Sequence, residues 1–276
     1  MQQNPTSPIL RSLWFTILSI VALYFASTLL LHLMLSPLGA VSDPTFWNFV
    51  IYVASFGITI GYALFLSRHQ GLDFPSFHPS KWLASPRLIA AGVILMFATG
   101  ILLTPLLELM PAEYIEQLDS YMQGGFWPMF TAVIAAPVLE EFLFRGIIQK
   151  NLVNRLGPVP GILLGALIFG AVHLIPQQIL YASCLGVILG TIYYLTGSLN
   201  GSIAVHFVNN GLTSLLYMVF GTSSSLEHKL LGHGTLWHWA YAIAAVVMVL
   251  STLRALHLIR RRQSKSATKN TESIEN

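Results

Sequence analysis

Residues 12–35, SLWFTILSIVALYFASTLLLHLML, form an unbroken run with no Asp, Glu, Lys or Arg. A helix needs about 20 mostly apolar residues to cross a hydrocarbon layer about 30 Å thick, so this stretch is long enough to span a membrane. It is too long for the apolar core of a signal peptide and reads as a retained anchor. Seven further apolar runs follow, near 46–67, 87–110, 127–149, 161–175, 178–196, 202–220 and 237–258. The fifth is short, and is either buried among its neighbours or continues through Pro176.

Composition agrees with that reading. Of 276 residues, 54% are hydrophobic and 9% charged, against roughly 25% charged in a soluble globular domain, and mean hydropathy is +0.67. So little polar surface excludes a soluble enzyme, a disulfide scaffold and a disordered chain. The single cysteine, Cys184, lies in an apolar run and reads as a small buried hydrophobe. The net charge of +3 comes largely from Arg260, Arg261, Arg262, Lys265 and Lys269. No aromatics interleave with these bases, so no nucleic-acid partner is expected. The expectation is an all-α polytopic membrane protein of about eight transmembrane helices, with the lipid bilayer as its surroundings. Residues 1–110 would hold helices 1–3, and 111–220 a catalytic core of helices 4–7. Residues 221–258 would hold a loop and helix 8, and 259–276 a basic disordered cytoplasmic tail.

Basic residues alternate between loops. Arg11 precedes the first run, Arg68, Lys81 and Arg87 lie around the second loop, and Lys150 and Arg155 around the fourth. Residues 36–45 carry only Asp43, and 111–126 carry Glu113, Glu116 and Asp119 without a base. The positive-inside rule then puts both termini in the cytoplasm. No internal repeat is found, which weighs against an inverted-repeat transporter.

An ionised side chain at the centre of a membrane helix costs about 2.5–3.5 kcal/mol, so the polar residues inside the runs need a reason. They concentrate in runs four to seven. Glu141 and Arg145 stand four apart on one helix face, as an ion pair would, while Glu140 points about 100° away, a rotation set by the helical repeat. Pro137 removes a backbone donor and is expected to kink the helix and open space beside Glu140. Phe169 and His173 share a face of the fifth run, and His206 and Asn210 repeat the spacing on the seventh, which also holds Asn209. A carboxylate with an imidazole can activate water, and a second imidazole with an amide can hold an oxyanion. His228, His233 and His238, near the last loop, lack matching acids and read as interfacial. Gly161 with Gly165, and Gly186 with Gly190, form small-residue faces suited to close helix packing.

Glu140-Glu141-Phe-Leu-Phe-Arg145, Phe169-Gly-Ala-Val-His173 and His206-Phe-Val-Asn-Asn210 match in order and spacing the EExxxR, FxxxH and HxxxN motifs. In this the chain resembles the CAAX-protease and bacteriocin-processing (Abi, Rce1-like) family of intramembrane endopeptidases, over roughly residues 125–215. The resemblance implies an eight-helix fold with the active site in a cavity among helices 4, 5 and 7. It implies Glu140 as general base with His173 as its partner, His206 and Asn210 as oxyanion donors, and Glu141 and Arg145 as the supporting ion pair. The substrate would be a peptide or membrane-anchored protein, cleaved near the surface of a bacterial inner membrane. No cofactor is expected.

Three alternatives stay open. Glu140, His173 and His206 could be ligands of a catalytic zinc, although HExxH is absent. The same groups could relay protons in a transporter. The chain could also be a non-catalytic immunity protein on the protease fold. A serine route lacks a GxSxG element, and an aspartyl route lacks any intramembrane Asp.

Overall fold

The computed structural model describes residues 8–39, 42–70, 72–73, 86–111, 113–221 and 226–275. Lys81, used above for orientation, lies outside the described residues. Among the described residues there are helices and turns and no strand. We number the helices α1 (Pro8–Gly39), α2 (Pro44–Gln70), α3 (Pro86–Leu107), α4 (Glu113–Met122), α5 (126–156), α6 (Pro158–Ala171), α7 (Pro176–Thr196), α8 (Leu199–Phe220), α9 (Leu226–Leu231) and α10 (Thr235–Glu275). By length and composition α1, α2, α3, α7, α8 and α10 can each cross a membrane. The chain is an integral membrane protein. Its outward surface is apolar, as at Leu29, Leu33, Val249 and Leu253, which suits lipid contact.

The fourth and fifth apolar runs, α5 and α6, are the irregular ones. α5 alternates α-helix at Phe126–Phe130, Ala136–Glu140 and Lys150–Leu156 with π-helix at Thr131–Ala135 and Glu141–Gln149. Pro137 has no N–H for the carbonyl four residues back, and wide turns flank it on both sides. π segments are rare and concentrate at functional sites. Gly157, at φ +86°, turns the chain into α6, a conformation open to a residue without Cβ.

α6 has 14 residues, about 21 Å at 1.5 Å per residue, less than the ~30 Å of a bilayer core. The fifth run therefore does not continue as one helix through Pro176. Beyond Ala171 the chain makes a tight turn in which the Ile175 N–H donates to the His173 carbonyl at 2.8 Å. Leu174, at its centre, is held at φ +62°, a strained value for a residue with a branched side chain. Irregular backbone at this depth is tolerated where it lines a cavity.

Close packing among α5, α6 and α7 uses both glycine faces. A Cβ at Gly161 would lie 2.5 Å from the Val153 backbone nitrogen, and one at Gly186 would lie 2.9 Å from Ala166 Cβ. Gly165 and Gly190 leave room for the buried Gln149, whose amide donates to the Gly190 carbonyl at 2.9 Å. One core cluster joins Ile17 and Ile20 of α1 and Phe56 of α2 to Leu143, Ile147 and Phe169. A second joins Met96 of α3 to Leu185, Leu189 and Val205. Segments 1–110 and 111–220 are thus interleaved through shared cores.

The basic tail expected to be irregular is instead the continuation of α10 to Glu275. Thr235–Glu275 contains neither Gly nor Pro, so nothing local breaks the helix. Arg262 donates to the carbonyl of Tyr194 and, at 2.6 Å, to that of Leu195, at the C-terminal end of α7. It satisfies acceptors that the helix end leaves open and puts a cation at the negative end of the dipole.

Candidate active site

The wide stretch of α5, the end of α6 and the middle of α8 enclose a cavity of about 490 Å³, which α2, α4 and α7 help to close. Glu140, Phe169, His173, His206 and Asn210 all line it. Behind this wall lie Glu141 and Arg145, at 0% and 1% exposure, with Nη1 and Oε1 3.1 Å apart. The guanidinium carbon also sits 4.0 Å over the Phe169 ring, which stands nearly perpendicular to the rings of His173 and His206 at centroid separations of 5.0 and 5.9 Å. Phe169 is the common neighbour of all three motifs.

The Glu140 side chain is 12% exposed and turned to the cavity. Its Oε1 accepts a hydrogen bond from the Tyr52 hydroxyl at 2.7 Å, so the acid that the helical repeat turns away from Glu141 has a partner on α2. Its Oε2 is 3.9 Å from His206 Nε2. His206 is thus the imidazole that bridges the two acids, with Nδ1 3.0 Å from Glu141 Oε1. Since an ionised carboxylate only accepts, His206 Nδ1 carries the proton in that contact. Its Nε2 can donate only when the ring holds two protons.

His173 stands two residues past the end of α6. Its Nδ1 donates to the Phe169 carbonyl at 2.8 Å, which caps a helix-terminal acceptor and leaves the Nε2 lone pair of the neutral ring available. Asn210 is held from both ends. Its Nδ2 donates to the Ala132 carbonyl in the first π segment at 2.7 Å, and its Oδ1 accepts from Asn209 Nδ2 at 2.8 Å. Asn209 Oδ1 in turn accepts from the Tyr181 hydroxyl at 2.7 Å. The chain of bonds fixes which way the Asn210 amide faces and leaves one of its N–H groups unused.

Tyr52 and Tyr181 carry no signal in the sequence, because a tyrosine in an apolar helix looks like any interfacial aromatic. Among the described residues no three His, Cys, Asp or Glu side chains are arranged to hold a metal ion. A second polar cluster lies away from the cavity. His228 Nδ1 meets Glu108 Oε1 at 2.7 Å, and Thr104 donates to Glu227 at 3.3 Å. His228 thus has the matching acid that its sequence neighbourhood lacks.

Residues 122–212 match the family model described as type II CAAX prenyl endopeptidase Rce1-like. No curated protein and no solved structure matches the chain. The match runs from Met122 at the end of α4 to Leu212 in α8 and contains all three motifs. α1, α2 and α3 lie wholly outside it.

Proposed function

We propose, from the Rce1-like domain at residues 122–212, that this membrane protein is an endopeptidase that hydrolyses a peptide bond inside the cavity with water activated by Glu140. The observation that carries the reading is the convergence of Glu140, His173, His206 and Asn210, from three helical segments, on one cavity wall. Glu140 has one oxygen engaged by Tyr52 and the other toward the open space. His173 offers a ring nitrogen lone pair that can hold the same water. The water oxygen attacks the scissile carbonyl carbon as Glu140 takes its proton. The carbonyl oxygen becomes an oxyanion, to which the free Asn210 N–H and a doubly protonated His206 donate. Glu140 then delivers the proton to the departing amine as the carbon–nitrogen bond breaks, leaving a carboxylic acid and an amine. With His206 charged, the buried set of Glu140, Glu141, Arg145 and His206 is electrically neutral.

The substrate we expect is a peptide or membrane-anchored protein, and both termini of the enzyme face the cytoplasm. The test uses purified protein in liposomes with fluorogenic peptides ending in a prenylated CAAX sequence, and the same peptides unprenylated. Cleavage of either set by the wild type, and none by Glu140→Gln, supports the reading. Cleavage that survives in Glu140→Gln overturns it. Glu140-dependent proton flux without cleavage would make the same groups a relay.

A further inference from the structure

We infer that Tyr52, on α2 and outside the family match, is a positioning residue for the proposed reaction, holding the Glu140 carboxylate in the rotation that points its second oxygen at the cavity. The inference rests on the reading of Glu140 as the base.

A carboxylate on a flexible side chain can turn about its last bond, and only some orientations present a lone pair to a water in the cavity. The Tyr52 hydroxyl removes that freedom by donating to Oε1 at 2.7 Å, within the range for a hydrogen bond to a charged acceptor. The phenol is itself held. Its ring packs on Phe56 with centroids 4.9 Å apart, and Phe56 packs on Tyr24 of α1 at the same separation. Phe56 is 2% exposed, so the aromatic stack that aims Tyr52 is part of the core joining α1 and α2 to α5. With Glu140 on α5, the base and the group that orients it come from opposite sides of the α2–α5 contact. The catalytic unit extends beyond residues 122–212 to include α2.

The experiment compares wild type, Tyr52→Phe, Glu140→Gln and Tyr62→Phe, each purified in liposomes, by kinetics on the prenylated and unprenylated peptides and by infrared difference spectroscopy. Tyr62 is on the same helix, and its hydroxyl bonds to Ser19 at 3.2 Å. Removing it is a matched loss of a phenol away from the cavity. Tyr52→Phe keeps the ring and its packing. It should lower kcat by about 10–10²-fold, the scale of a misplaced catalytic group, while KM stays within a few-fold, and Tyr62→Phe should leave both unchanged. The Glu140 carboxylate band, identified as the one missing in Glu140→Gln, should move in Tyr52→Phe and stay in Tyr62→Phe. If folded Tyr52→Phe keeps both the wild-type kcat and the wild-type band, the inference falls while the protease reading stands. If Glu140→Gln is fully active, the protease reading falls, and the band alone decides the Tyr52 contact. Should Tyr52→Phe fail to fold, the difference between Glu140→Gln and wild type replaces it. That spectrum must contain a shifted tyrosine C–O band, and its absence overturns the inference.

Discussion

The guanidinium of Arg145 rests 4.0 Å over the face of the Phe169 ring, and Nη1 and Nη2 have no hydrogen-bond partner within the protein. The Glu141 carboxylate is at ion-pairing distance but outside hydrogen-bond geometry. A buried cation thus leans on one carboxylate and one aromatic face. Phe169 therefore has an electrostatic part in a site where its residue type suggests packing alone.

Removing the cation leaves Glu141 buried with only His206 and Ser202 against it. Arg145→Ala should cost about 3–5 kcal/mol, as breaking a buried pair does, seen as a lower unfolding midpoint and folded yield in detergent. Adding Glu141→Gln should restore much of the loss. An Arg145→Ala protein as stable as the wild type would show that the pair does not hold the fold.

Glu140→Gln preserves shape and removes the proposed base, so hydrolysis should fall by about 10²–10⁴-fold with peptide still bound in an equilibrium assay. His173→Ala should lose a similar factor, and the double mutant little more, since groups acting as one unit are not additive. Dialysis of the wild type against a strong chelator should leave activity intact. Loss that stoichiometric zinc restores would recast these side chains as ligands.

At Asn210 the expected loss is in the barrier. Asn210→Ala should cost about 2.7–4 kcal/mol, the effect of deleting one oxyanion donor. Asn209→Ala keeps that donor but frees the amide to turn over, so its loss should be smaller and confined to kcat. Equal losses from the two variants would count against the bond chain as an orienting device.

Two glycine substitutions separate backbone from side-chain crowding. Gly161→Ala places its methyl 2.5 Å from backbone nitrogen, whereas Gly190→Ala meets the movable end of Gln149. Overpacking costs about 1–3 kcal/mol, and Gly161→Ala should sit at the upper end. Gln149→Ala should relieve the Gly190→Ala penalty and leave that of Gly161→Ala. Thermal unfolding of the purified variants measures both.

Reporter fusions after residues 40, 75, 118 and 155 should report outside, inside, outside and inside, following the alternation of Lys and Arg between loops. Two successive fusions on one side would overturn the proposed orientation.

Local features were legible in the chain and distant ones were not. The apolar runs and the Glu141–Arg145 spacing depend on neighbours within one or two turns, so each could be read directly. Tyr52 reaches Glu140 across 88 positions, and Glu108 reaches His228 across 120. No periodicity encodes such a pairing. Pro137 announces a local break but does not say that α5 relaxes into wide turns. The tail misled because its polarity suggested disorder, while the absence of Gly and Pro, together with the docking of Arg262 on α7, keeps it helical.

The brevity of α6 sets a distance. Its residues between Gly157 and Ala171 carry the chain about 21 Å along the helix axis before His173 is reached, and each added turn would carry it about 5.4 Å farther, away from Glu140 and His206. Under the proposed reaction, the length of α6 would set how far from the Gly157 turn a peptide is cut. A one-turn insertion should disable the site without altering any residue in it.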